Sequence, residues 1–228
     1  EEGITREECD KWALRSHQKA CAAIERGTFR EEIVQVKIPQ KKGAPKIVDT
    51  DEPPRRDTAL DSLANLQPVL GGVCTAGNSS TENDGAAACV VTTLEKAKEL
   101  GVEPMGYLRA FAVAGTDPTR TYRAVPTAVN KALRKAGLRL DEIDLIEIQE
   151  AFAAQVLADL KYLKLPEAQR AKVNVNGSGI SLGHPIGATG TMRMVTLLHE
   201  MKRRGAKYGL EAICGGGGLA ICAIVERK

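Results

Sequence analysis

The sequence predicts an α/β fold, layered around a mixed sheet. Helix-like and strand-like patterns alternate along the chain, and that alternation is the signature of stacked α and β layers. In the last 80 residues, glycine-rich turns fall between strand ends and helix starts, as they do at the ligand-gathering edge of open α/β sheets. The 228 residues are 43% hydrophobic and 27% charged, enough for one large globular domain or two small ones with a proper core.

Thr5 to Glu25 reads as a helix. Thr5 and Glu8 fit a capping box, Trp12, Ala13, Cys21 and Ile24 supply an apolar side, and Gly27 stops it. Glu32–Ile38 alternates like a strand. Residues 39–57 hold four prolines and several charges and read as a loop. Asp57–Leu66 reads as a short helix, Gly71–Ala88 as a stretch of small residues, Ala86–Val91 as a buried strand, and Leu94–Leu100 as a short helix closed by Gly101. Beyond Pro104, the expected order is strand Tyr107–Ala114, helix Pro126–Ala136 ended by Gly137, strand Ile143–Ile148 and helix Ala151–Leu163. A short strand Val173–Val175, a long helix Gly187–Arg204, and strands Tyr208–Ile213 and Leu219–Val225 complete the series.

Composition excludes several functions. The formal charge is +3, from 32 basic and 29 acidic side chains, too weak for a dedicated nucleic-acid binder. Aromatics at 4% argue against stacking platforms for single strands. No run of about 18 apolar residues suits a membrane span, and the acidic start EEGITREECDKW has no signal-peptide character. Charge is uneven: residues 61–99 carry 2 basic and 5 acidic groups, residues 100–228 carry 18 and 12. The basic C-terminal region suits either an anionic ligand or a plain solvated surface. Six cysteines without a CxxC pair point to reduced thiols and a cytoplasmic location. The sequons at Asn78 and Asn176 are then chance matches, and three histidines with scattered cysteines imply no metal.

Three patches carry possible chemistry: Gln149-Glu150-Ala151-Phe152, the run from Asn174 to Gly190 with His184 inside it, and Cys214 followed by four glycines. Glycine turns present backbone N–H groups to an oxyanion. A histidine beside them can move a proton, and a cysteine among them can be an accessible thiol with donors at hand. Each alone also reads as a plain loop, a structural histidine or an inert thiol.

Together the patches resemble the thiolase family. NGSGISLGHPIGATG followed by CGGGG, DLIEIQEAFAAQ and TAGNSSTENDGAAA stand in thiolase order, and the segments EEGITREECDKWALRSHQKACAAI and DEPPRRDTALDSLANLQPVL are similar as well. The resemblance implies a layered α-β-α-β-α fold. It implies a tail of the CoA-binding loop domain over 1–81, the last element of the N-terminal domain over 82–103, and a C-terminal domain over 104–228. On this reading the C-terminal half is complete and the N-terminal half mostly absent. The implied activity is thiolytic cleavage of a 3-ketoacyl-CoA, or Claisen condensation of acetyl-CoA, with coenzyme A or acyl-CoA as substrate and no tightly bound cofactor.

By the same resemblance, His184 matches an activating histidine, Cys214 the acid/base cysteine, and the Gly216 N–H an oxyanion-hole donor. Gln149 stands where many thiolases have Asn. Arg55 and Ser62 match positions near the CoA adenine, Ser80 a contact to the pantetheine arm, and Phe152 a tunnel wall. Cys9, Cys21, Cys74, Cys89, Cys222, His17 and His199 read as packing or surface residues, and Asp84 as a turn or cap. Cys89, expected inside an apolar strand, is a poor nucleophile. A companion chain with the N-terminal half and the nucleophile, within a homo- or hetero-oligomer, is therefore expected. The alternative is a non-catalytic CoA-binding or scaffolding subunit. A ketoacyl synthase is disfavoured, because Cys214 occupies the place of its second histidine.

Overall fold

A computed structural model describes residues 2–228. Helix α1 (Arg6–Glu25) opens the chain. The Thr5 hydroxyl accepts from the Glu8 N–H while the Glu8 carboxylate accepts from the Thr5 N–H, so the expected capping box is present, a device worth about 1 kcal/mol. Cys9, Trp12, Ala13, Ala20 and Ala23 form its buried side.

The main sheet has four strands: β3 (Tyr107–Gly115), β4 (Leu145–Ile148), β5 (Tyr208–Gly215) and β6 (Leu219–Glu226). Their spatial order is β3-β6-β5-β4, with β3–β6 and β6–β5 antiparallel and β5–β4 parallel. This is the expected mixed sheet. Helices α4 (Ala124–Ala136) and α5 (Ala153–Tyr162) cover one face. There Val125, Val129, Leu133, Val156 and Leu160 pack with Ile146, Ile148, Leu210, Cys222 and Ile224, and Trp12 and Ala13 of α1 join the same core. Helix α7 (Thr189–Arg204) covers the other face, where Leu197 and Met201 meet Leu145 and Val225. The result is helix, sheet, helix in three layers. Every buried aliphatic side chain in these layers contributes about 1.5–3 kcal/mol relative to exposure.

Helix α4 begins at Ala124, which puts Pro126 in the first turn, where its missing N–H would have had no helical partner. Helix α5 begins after Phe152 and α7 at Thr189, each two residues later than the pattern suggests.

Four expectations are corrected. Only Val36–Ile38 of the predicted Glu32–Ile38 strand is extended, as β1, and it pairs antiparallel with β2 (Lys46–Val48), inside the predicted loop 39–57. Prolines at 39 and 45 bracket the turn and leave three residues on each side for a ladder, so the hairpin is short and mostly exposed. Residues 86–91 form no strand and are exposed, Val90 at 93% and Val91 at 85%; an apolar β-prone run becomes a strand only beside a partner. Val173–Val175 makes isolated bridges only. Cys89 is exposed, not enclosed in an apolar strand.

Short helices α2 (Leu60–Ala64) and α3 (Leu94–Glu99) agree with the pattern, while α6 (Gly179–Leu182) falls within a run expected to be loop. Asn78 and Asn176 are buried, so neither sequon is presented to solvent. No helix among the described residues is long and apolar enough to cross a membrane.

Candidate active site

Helix α6 and the turn after it deliver His184. Gly183, at φ +84°, takes a backbone that other residues rarely adopt, and a Cβ there would strike the Asn83 side chain. Asn83 comes this close because its Oδ1 accepts from the His184 N–H at 3.1 Å, and the same N–H also points at the Thr81 carbonyl at 3.2 Å. The imidazole is half-buried. Its Nδ1 lies 2.8 Å from Thr189 Oγ1, and that hydroxyl bonds to the Pro185 carbonyl at 2.9 Å. A hydroxyl has one proton; donated to the carbonyl, it leaves a lone pair for Nδ1–H. Nε2 is then the free basic nitrogen. Burial, and then the Arg193 guanidinium, push the His184 pKa below the ordinary histidine value, which favours the neutral ring.

Beside His184 lies a cleft of about 390 Å³ bordered by Glu82, Asn83, Asp84 and Ile186. Asp84, expected as a turn residue, lines this cleft. The segment that reaches His184 also joins it to the end of β4. The Ser80 N–H donates to the Ala151 carbonyl at 2.9 Å, and Ser79 pairs with Phe152. Ser79 thus stands opposite Phe152 and Ser80 opposite Ala151, with Phe152 48% exposed at the start of α5.

Gln149 follows β4. Its N–H donates to Ala212 of β5 at 3.0 Å, so it sits beside the strand that leads to Cys214. The side chain is 1% exposed and faces the interior. Its Nε2 lies so close to Gly179 that a Cβ there would collide with it, and Nε2 has no hydrogen-bond partner among the described residues. Its Oε1 faces Arg193 Nε at 3.5 Å, while Arg193 Nη2 donates to the Gly183 carbonyl at 3.1 Å. Arg193, buried in the middle of α7, therefore braces the turn that carries His184.

Cys214 is half-buried near the C-terminal end of β5, the parallel neighbour of β4. Burial, and then the Asp159 carboxyl, push its thiol up to about 11. Gly216 is exposed at the tip of the β5–β6 turn, which the Thr116 N–H holds by donating to the Gly218 carbonyl at 2.8 Å.

Arg55 and Ser62 lie elsewhere. Arg55 lines a separate cleft of about 240 Å³ with His17, Cys21 and Glu25, and its N–H donates to His17 Nδ1 at 3.1 Å. Ser62 Oγ donates to the Ala59 carbonyl at 2.7 Å, closing the first turn of α2. His17, read as packing, therefore shapes the cleft that contains Arg55.

Beneath the site, Glu150 is fully buried. It accepts from Trp12 Nε1 at 2.9 Å, Ser16 Oγ at 2.6 Å, Asn174 Nδ2 at 2.9 Å and the Ile180 N–H at 3.3 Å. It locks α1, β4 and α6 together. Sequence reasoning missed Asn83, Thr189, Arg193 and the anchoring role of Glu150. The inward side of α7 mixes Thr189, Arg193, Thr196 and Glu200 with Leu197 and Met201, so no local pattern singled Arg193 out. No group of three or more His, Cys, Asp or Glu among the described residues could hold a metal ion.

Two family models match the chain: "Thiolase, N-terminal domain" over residues 1–95 and "Thiolase, C-terminal domain" over residues 102–227. The chain is 48% identical to an acetyl-CoA acetyltransferase of Chromobacterium violaceum, covering 99% of this chain and 57% of that protein. It is 49% identical to one from Cupriavidus necator, covering 100% and 58%. Among solved structures, the Bacillus anthracis acetyl-CoA acetyltransferase matches with a TM-score of 0.93 at 46% identity, covering 98% of this chain and 56% of that one. Human mitochondrial 3-ketoacyl-CoA thiolase matches with a TM-score of 0.91 at 38% identity, covering 99% and 56%. The chain thus spans a little over half the length of these relatives.

The match over residues 1–95 shows that sequence of the N-terminal domain is present in the chain, and the expected companion chain carrying that half is not borne out. Within the N-terminal part, Trp12 and Ala13 of α1 belong to the main core, while Val34, Leu70, Val90 and Val91 are exposed.

Proposed function

The chain belongs to the thiolase family, and from that membership we propose that it acts on coenzyme A thioesters as an acetyl-CoA C-acyltransferase. The reaction is thiolytic cleavage of a 3-ketoacyl-CoA or its reverse, the condensation of acetyl units. The observation that carries this reading is the setting of His184: a neutral imidazole with Nδ1 tied to Thr189, beside an open cleft.

The chemistry follows from those groups. In condensation, a base removes a proton from the methyl group of acetyl-CoA, and the electron pair moves onto the thioester oxygen as an enolate. Cys214, as thiolate, takes that proton. His184 Nε2, carrying the proton that the Cys214 thiol gave up, donates to the oxygen, and the Gly216 N–H supplies a donor for a second oxyanion. In cleavage the sulfur of free coenzyme A adds to the 3-keto carbonyl, the Cα–Cβ bond breaks with its electron pair staying on Cα, the acyl group leaves as a new coenzyme A thioester, and the Cys214 thiol returns the proton to Cα while the proton of the coenzyme A thiol replaces it. A thiol raised to about 11 is a ready donor in that direction. Gln149 holds the Gly179 turn from beneath and reaches the thioester oxygen only through a water.

Coenzyme A enters as substrate, not as a resident cofactor. Ser80 and Phe152, which lie on paired segments, are assigned to the pantetheine arm, and Arg55 and Ser62 to the adenine end, where a planar guanidinium can stack or meet phosphate. We assign residues 1–81 to the CoA-binding loop region, 82–103 to the last N-terminal element and 104–228 to the C-terminal domain. The free cysteines support a cytoplasmic location, and assembly into an oligomer is proposed with them.

The test is thiolysis of acetoacetyl-CoA by free CoA, followed through loss of the substrate's enolate absorbance. Turnover that disappears in Cys214→Ala and in His184→Ala supports the reading. Turnover unaffected by both substitutions overturns it.

A further inference from the structure

Gln155 stands between the Cys214 sulfur and a buried acid. Gln155 and Asp159 are one turn apart on α5, on the same buried side. Cys214 Sγ lies 3.8 Å from Gln155 Oε1, and Gln155 Nε2 donates to Asp159 Oδ2. Asp159 is 0% exposed, and its second oxygen, Oδ1, has no partner among the described residues.

An amide has a donor end and an acceptor end, and which end faces the sulfur decides which form of the cysteine it favours. Oε1 accepts from S–H and would repel a thiolate; an NH2 group would do the opposite. Asp159 removes the choice. As carboxylate it can only accept. As neutral acid, with its proton on the unpartnered Oδ1, it still presents Oδ2 as an acceptor. The carboxylate demands the NH2 end of Gln155, and the neutral acid, which burial favours, keeps it there as long as its proton sits on Oδ1.

We propose that Asp159 is a positioning residue for Cys214: through the Gln155 amide it keeps a carbonyl oxygen on the sulfur and holds the cysteine as a thiol until substrate arrives. The proposal rests on the reading of Cys214 as the acid/base, and it adds how that group is kept in its acid form. The electrostatic surroundings are simple. Asp159 is the charge that acts on the sulfur, and no charged group of α1, α4 or the Pro118–Arg123 turn, all packed against α5, acts appreciably on Asp159.

The test reads the thiol directly, so it does not depend on turnover. The 228-residue chain is alkylated with iodoacetamide across pH 7–11, and each cysteine is followed separately by peptide mass spectrometry. In Asp159→Asn the neighbouring amide can accept or donate, so Gln155 is free to turn its NH2 group to the sulfur. Cys214 should then be alkylated about tenfold faster at pH 8, with its midpoint lowered, while buried Cys9 and Cys222 keep their slow rates and report an intact core. An unchanged Cys214 midpoint in a variant with slow Cys9 and Cys222 overturns the proposal.

If Asp159→Asn exposes Cys9 and Cys222, Gln155→Glu decides. It keeps an acceptor on the sulfur and adds negative charge, so alkylation of Cys214 should slow at least threefold. No change, or a faster rate, overturns the proposal. Loss of turnover in Cys214→Ala concerns the acid/base reading alone, and is distinguishable from either result.

Discussion

Thr189 Oγ1 stands 2.8 Å from His184 Nδ1, five residues upstream, and through its bond to the Pro185 carbonyl it decides which imidazole nitrogen faces the cleft. Thr189→Val keeps the shape of the side chain and removes that acceptor. The ring then loses its fixed tautomer, and turnover should fall about 10- to 100-fold, less than the roughly 10²- to 10⁴-fold that positioned proton transfer contributes, because the imidazole itself remains. Nitrogen NMR of the imidazole should change from Nδ1–H alone to a tautomer mixture. A variant with wild-type tautomer and rate would remove Thr189 from the account.

Glu147 and Glu211 are partners on the parallel strands β4 and β5, both buried, and each is pushed up to about 8 by burial, against the pull of Arg193. An acid whose folded pKa lies above its ordinary 4.5 favours folding below that ordinary value and loses the contribution as pH rises through the folded value. Stability should therefore decline between pH 4.5 and about 8. Glu211→Gln removes one ionisation and should raise Tm by several degrees at pH 8.5, with little change at pH 5. Thermal unfolding at the two pH values checks this; equal shifts at both would contradict it.

The four donors that converge on Glu150 make it the anchor of the site's underside. Glu150→Ala would strand the Trp12 indole N–H and the Asn174 amide in the interior. The expected cost is about 3–5 kcal/mol in urea unfolding, the range for breaking a buried charged network from one side. A loss below about 1 kcal/mol would show that the network relaxes around the gap.

Much of this site was legible because it is written locally. Glycines after a strand pattern placed Cys214 near the end of a sheet element, and the capping box fixed where α1 begins, whereas the strand expected ahead of His184 is only isolated bridges and a short helix delivers that residue. What pattern reading lacks is knowledge of which distant side chains meet. Asn83 grips the His184 backbone from 101 residues away, and no periodicity in either segment announces it. Arg193 was hidden because a buried arginine on a helix looks like an interruption until its partners are known. The Ala86–Val91 run misled for a related reason: it has strand composition, but pairing depends on a neighbour that composition does not supply. The short hairpin of β1 and β2 was the converse case, a pairing formed inside a segment whose prolines and charges read as loop.

The account's central claim is that Cys214 and His184 together make an enolate of a coenzyme A thioester. The most direct measurement is exchange of the acetyl-CoA methyl protons for deuterium in D2O, read by mass spectrometry in the presence of the chain. This step needs only a base at the α-carbon and a donor at the oxygen. The account predicts exchange well above the buffer rate, lost in Cys214→Ala and at least tenfold slower in His184→Ala. Exchange no faster than buffer, or unchanged in Cys214→Ala, would contradict it.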